Sequence, residues 1–180
     1  MLEAAERQTP TASIIAPLCA QHELEDLLLP MAIRNGWPQE LDLPNIEHRL
    51  KAKKAFFEAF INNEEGIRDG NIFWMNAIAQ LARPHGGALG GTFTTFHLTQ
   101  PGYYGEQGTR KIHDTFYRLL QISPESADPL TPLQLMDLVL IPEAGVQLIL
   151  DDFGNGMERA TAIATMYESG KYGAQMFPAE

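Results

Sequence analysis

Cys19 and His22 stand three residues apart, a spacing that lets a thiolate and an imidazole face one metal from the start of a helix. A structural zinc site needs four ligands, and the chain holds a single cysteine, so the other two would come from a more distant His, Asp or Glu. His48, His85, His97 and His113 show no ligand-type spacing among themselves. No cofactor is expected. Zinc is the one ion for which a partial set of ligands, Cys19 and His22, is present, and the competing reading is a buried free thiol beside a surface histidine.

Carboxylates and tyrosines offer the remaining chemistry. Asp151 and Asp152 look like an acid pair, but adjacent residues on a helix point in different directions, so the two are read as a solvated helix end beside Gly154. Tyr103 and Tyr104 lie between Gly102 and Gly105, where they form either an aromatic recognition platform or aromatics closing the core beneath a tight turn. Pro142 removes a backbone donor and frees carbonyls one turn earlier, and Glu143 after it reads as a carboxylate at the first turn of a helix. Gly102, Tyr103, Tyr104, Gly105, Pro142 and Glu143 together are the expected binding surface. No residue is assigned a catalytic role: the sequence has no Gly-x-Ser-x-Gly elbow, no His-Glu-x-x-His pair and no Walker loop. The Gly pairs of GGALGG, Gly86 to Gly91, have no Lys-Ser/Thr after them and read as a flexible tract.

The elements that position these residues follow from apolar spacing. The stretch Thr131 to Asp152 carries apolar residues on every side, so it predicts a buried central segment, with Thr131 as N-cap, Pro132 at the first position and, because Pro142 removes a backbone donor, either two collinear helices or one rod kinked there. Asp137, Pro142, Glu143 and Gln147 interrupt it too often for a bilayer span of about 20 apolar residues. Helical spacing runs from Leu24 to Ile33 and ends at Gly36. Asp42 and Pro44 open a second helix with Ile46, Leu50, Phe57, Phe60 and Ile61 inward and the basic run Arg49, Lys51, Lys53 and Lys54 mostly on its solvated side. Asn71 caps a third, and a helix after the PGYYG turn puts Ile112, Phe116, Leu119 and Leu120 inward. The last has Ala160, Ile163, Ala164 and Tyr167 on one face and stops at Gly170 or Gly173. Thr92 to Leu98 is the one strand-like run, and a lone strand makes no sheet. These readings give an all-α fold, about six helices around a buried central one, in a single domain over 12–180 after a flexible tail over 1–11.

Composition narrows the function. The chain is 44% hydrophobic over 180 residues, enough for one sizeable core. Thirteen Lys and Arg against twenty-three Asp and Glu leave a net charge of −10, which disfavours direct nucleic-acid binding. The lone cysteine, the lack of an Asn-x-Ser/Thr sequon and the polar N-terminus point away from secretion.

Several short motifs occur together and in order: Cys19-x-x-His22, Gly36-Trp37-Pro38, Pro101-Gly102-Tyr103-Tyr104-Gly105, Pro142-Glu143 and Ser169 to Gly173. In this the chain, from roughly Ile15 to Gly173, resembles the fungal domain named after the restriction of telomere capping protein. The resemblance implies a nuclear and cytoplasmic protein associated with telomere capping and cell-cycle control, and it carries over no catalytic residue. Members of that family often have a Cys-x-x-Cys upstream, which this chain lacks.

The sequence therefore predicts a non-catalytic helical module that binds a protein partner, without a membrane. Two other classes compete. An enzyme would use a groove between PGYYG and Pro142-Glu143 and would need His97 or His113 near Glu143 or Cys19. A chromatin-associated nucleic-acid binder would need Arg49 to Lys54 to share a surface with Arg110, Lys111 and Arg118.

Overall fold

The computed structural model describes residues 12–82, 100–154 and 156–179. The fold is all-α, and no strand occurs among the described residues. The 1–11 tail and the strand-like Thr92 to Leu98 lie outside them.

The elements are α1 (Ala12–Glu23), α2 (Leu29–Asn35), α3 (Leu43–Ala52), α4 (Lys54–Ile61), α5 (Ile72–Leu81), α6 (Gly105–Leu119), α7 (Pro124–Ala127), α8 (Pro132–Leu135), α9 (Ile141–Phe153) and α10 (Arg159–Met176). Their starts follow local chemistry. Asp42 accepts a hydrogen bond from the Asn45 amide at 3.0 Å, and Asn71 accepts from the amides of Phe73 and Trp74 at 3.0 and 3.1 Å. Thr131 and Gln134 form a reciprocal capping box with Pro132 behind the cap. Gly36 ends α2 at φ 70°, a left-handed angle that glycine adopts without steric cost.

The central rod is continuous from Pro132 to Phe153. Instead of kinking at Pro142 it passes through a π-turn, Met136–Leu140, where the Ile141 amide reaches back to the Met136 carbonyl. Proline cannot donate, and its ring crowds the carbonyl four residues earlier; the wider turn accommodates both. Leu135, Val139, Leu140, Ala144, Val146, Leu148 and Ile149 are fully buried in the rod, which forms the core that α3, α5, α6 and α10 surround. By length and composition alone these 22 residues could cross a membrane, but 67% of the apolar window is buried inside this fold.

Two expected elements differ. The helix opened by Asp42 breaks at Lys53, whose φ and ψ of −97° and 11° divide α3 from α4. The last helix does not stop at Gly170 or Gly173 but runs through both to Met176. Its inward face is Ala162, Met166, Ser169, Gly170 and Gly173, while Ala160 and Ala164 are exposed. At the end of α4, the buried Arg68 donates through Nε to the Phe60 carbonyl at 2.9 Å and through Nη2 to the Ser126 carbonyl at 2.6 Å. Its guanidinium sits 4.3 Å from the Trp74 ring, a cation on an aromatic face. One residue thus closes a helix C-terminus and ties α4 to α7.

Candidate functional site

The PGYYG turn is a single turn of 3-10 helix over Gly102–Tyr104 that lies directly on α10. The approach is backbone to backbone. A Cβ on Gly105 would fall 2.1 Å from the Gly173 carbonyl oxygen, and one on Gly173 would fall 2.2 Å from that of Gly102. Gly105 also needs φ 58°, so it meets both a conformational and a steric demand. The amides of Glu106 and Gln107, which start α6 and have no helical acceptor, donate to the Phe177 carbonyl at 3.0 and 3.2 Å.

Tyr103 and Tyr104 point inward. Both are buried, their ring centroids are 4.9 Å apart, and Trp37 stands 6.5 Å from Tyr103 and 5.8 Å from Tyr172. Tyr172 donates to the Pro38 carbonyl at 2.8 Å. Gly36-Trp37-Pro38, PGYYG and the Ser169 to Gly173 block therefore meet in one aromatic junction, and Gly145 brings the rod against Pro101 there.

The tyrosine hydroxyls leave that junction at a shared acceptor, Asp152. Tyr103 donates to Oδ2 at 2.5 Å, and Tyr104 donates to the same oxygen. Arg49 takes the other side, with Nη1 2.9 Å from Asp152 Oδ1 and Nη2 donating to the Leu148 carbonyl at 2.5 Å. Lys53 pairs with Asp151 at 3.0 Å. Burial pushes both phenols far above their ordinary value; Tyr104 and Asp152 add to the rise at Tyr103, and Asp152 adds to it at Tyr104, where Arg49 opposes it. Asp152, in the exposed last turn of α9, is thus a paired carboxylate, and Arg49 is not on a free basic face. The sequence signal was indirect: a buried tyrosine pair needs an acceptor.

The rest of the basic run is also engaged. Lys51 pairs with Glu47 at 2.8 Å, Lys54 with Glu58, and Glu47 further takes Lys111 and Arg118. The Lys111 hydrogen bond, helped by Lys51, holds the Glu47 carboxyl down to about 2.

Glu143, in the first turn of α9, is fully buried. Arg159 donates to its Oε1 at 2.7 Å and its Oε2 at 2.5 Å, Asn71 to Oε2 at 2.9 Å and Gln147 to Oε1 at 3.1 Å. The carboxylate is a four-way clamp joining α9, α10 and the N-cap of α5, beside a cleft of about 330 Å³ walled by Phe56, Phe60 and Ile67. Pro142 is buried next to it. The six residues expected as a surface thus lie in the interior. Gly102, Tyr103, Tyr104 and Gly105 hold the α6–α10 junction, and Pro142 and Glu143 hold the rod.

Cys19 and His22 are both exposed on α1, so the thiol is not the buried one expected. Among the described residues no group of three or more His, Cys, Asp and Glu stands where it could hold a metal ion.

A different feature lies on the surface. Tyr117, 78% exposed, and Leu133, 63% exposed, border a groove of about 290 Å³ between the end of α6 and the start of the rod, floored by Leu120 and Met136 and flanked by His113.

The described residues form an all-α fold in which the glycine-flanked PGYYG turn packs against a helix glycine, Gly173. Residues 72–178 match the family model of the RTC4-like domain, and the chain belongs to that family. The match contains PGYYG, Pro142-Glu143 and Ser169 to Gly173, while Cys19, His22 and Gly36-Trp37-Pro38 precede it. No curated protein matches the chain, and no solved structure does.

Proposed function

We propose that the chain is a non-catalytic protein-interaction module of the nucleus and cytoplasm, connected with telomere capping as the family resemblance implies. The observation that carries this reading is the saturation of its best-placed carboxylates. Glu143 accepts four hydrogen bonds from side chains of the chain itself, and Asp152 is shared by two tyrosines and Arg49. A general base needs an oxygen free for a substrate proton. None of the partners of Glu143 is a histidine, and His113 lies on the groove instead. The pairing of Arg49, Lys51, Lys53, Lys54 and Lys111 with carboxylates also leaves little unbalanced positive charge for a phosphate backbone, which weighs against the nucleic-acid reading. The six motif residues then serve binding indirectly, by fixing the helices that carry a partner surface.

The test is capture from nuclear and cytoplasmic extracts on immobilised chain, quantified by mass spectrometry, with heat-denatured chain as the unfolded control. A protein retained saturably by the folded chain and not by the control is the expected result. Recovery of no such protein from either extract would overturn the reading.

A further inference from the structure

The cleft beside the Glu143 clamp is a meeting of four segments: α4 supplies Phe56, the turn before α5 supplies Ile67 and Asp69, the rod supplies Glu143, and α10 supplies its first residue, Arg159. At about 330 Å³ it has room for a residue-sized group and not for a helix.

Arg159 is its most usable polar group. A guanidinium carries more N–H donors than the fork onto Glu143 spends, one from Nη1 and one from Nη2. No other hydrogen bond from Arg159 occurs among the described residues, and its side chain is 39% exposed. Because the fully buried Glu143 holds the fork, the remaining donors are presented in a fixed orientation, which lowers the entropic cost of using them.

Asp69 is the complementary group. It is exposed where it lines the cleft, and none of the ion pairs among the described residues includes it. The lining thus sets two carboxylates, Asp69 and Glu143, against the single guanidinium of Arg159, a balance that favours a cation and disfavours an anion. With its charge already matched by Glu143, Arg159 is suited to a neutral acceptor such as a carbonyl oxygen. Phe56 and Ile67, each partly buried, offer apolar area to a side chain in the same space.

Building on the reading of an interaction module, we infer that this cleft captures the free N-terminal residue of a partner protein, with its α-ammonium on Asp69, its carbonyl oxygen on Arg159 and an apolar side chain against Phe56 and Ile67. A chain's N-terminus meets all three demands within one residue. An internal lysine holds its ammonium a side chain's length from the nearest carbonyl, and its backbone must continue in both directions. Glu143 acts through Arg159, as a positioning residue.

The probes are three synthetic tripeptide amides, Leu-Gly-Gly with a free N-terminus, the same peptide N-acetylated, and N-acetyl-Gly-Lys-Gly, each titrated into the full chain and followed by NMR. Leu-Gly-Gly amide should bind saturably and shift the Gly70 and Asn71 amides and the Arg159 Nε–H. N-acetylation of the peptide and Asp69→Asn in the chain should each weaken binding at least tenfold. Asp69 is an exposed position, matched thermal melts check that the variant folds, and the acetylation arm needs no variant. No saturable shift at those groups, equal binding of the acetylated peptide, or equal binding to a folded Asp69→Asn chain would overturn the inference. So would tighter binding of N-acetyl-Gly-Lys-Gly amide, because an internal basic residue would then be the occupant. If parent and Asp69→Asn chains captured the same native partner equally, the cleft would fail while the interaction module stood. If the tripeptide bound as expected and neither chain captured a partner, the module reading would fail by itself.

Discussion

Arg159 grips both oxygens of the wholly buried Glu143, Nη1 to Oε1 at 2.7 Å and Nη2 to Oε2 at 2.5 Å. The pair fastens the first turn of α10 to the middle of the rod across the loop after Phe153. Because Arg159 keeps some solvent contact and Glu143 none, the two partners are not equivalent. Removing the guanidinium strands a buried carboxylate; neutralising the carboxylate leaves a cation that can still reach water.

Arg159→Met is therefore expected to cost about 3 kcal/mol, and Glu143→Gln distinctly less, because Gln keeps an acceptor for Arg159. Urea unfolding of both variants measures the difference. Equal stability of parent and Arg159→Met would mean that the clamp contributes nothing.

The tyrosine junction predicts a response to alkali. Burial raises the phenol pKa values of Tyr103 and Tyr104 in the fold, with Asp152 adding to the rise. In the unfolded chain a tyrosine ionises near about 10. Above that pH the unfolded state has lost protons that the native state still holds, so stability is full below it and declines as pH rises further. A phenolate absorbance titration followed alongside circular dichroism should show these two tyrosines ionising only as helicity is lost. Their ionisation in a fully helical chain would contradict the buried hydroxyl geometry.

The glycine contacts predict a steric hierarchy. Gly105→Ala places a methyl against the Gly173 carbonyl and Gly173→Ala places one against the Gly102 carbonyl, both backbone atoms that cannot swing aside. Gly154 has φ 72° but nothing within 4 Å of its would-be Cβ. Gly154→Ala should cost about 1 kcal/mol of backbone strain, and the other two several times that or loss of the fold. Thermal melts of the three chains check the order.

Much of the fold was legible in the sequence because local chemistry and apolar spacing agree at Asp42, Asn71 and Thr131 and along Leu135 to Ile149. What escaped reading has specific causes. The inward face of α10 is built from Ser169, Gly170 and Gly173, small residues that a search for apolar spacing passes over but that a backbone-to-backbone contact requires. Arg49 looked like part of a solvated face because nothing local reveals that its long side chain reaches Asp152, remote in sequence. The π-turn before Pro142 depends on how the rod resolves the missing donor, which either a kink or a wider turn could do. PGYYG and Glu143 lie in the interior, because exposure is a tertiary property that residue types do not encode.

Zinc content provides a separate check at the N-terminus. Cys19 and His22 sit on an exposed helix with no third ligand grouped beside them among the described residues. The chain purified without chelator is expected to carry less than one equivalent of zinc by elemental analysis. A full equivalent that disappears in Cys19→Ser would establish a metal site there.

The central claim is that the motif residues build the scaffold while the surface does the binding, and one comparison tests it most directly. Partner capture is measured for the parent, for Tyr104→Phe, which removes an interior hydroxyl, and for Asp69→Asn, which alters the exposed side of the cleft, each at a temperature where its helicity is intact. Capture by Tyr104→Phe should stay within about twofold of the parent, and capture by Asp69→Asn should fall at least tenfold, about 1.4 kcal/mol. The reverse pattern, with Asp69→Asn binding like the parent and a folded Tyr104→Phe losing the partner, would contradict the account and return the binding site to the PGYYG turn.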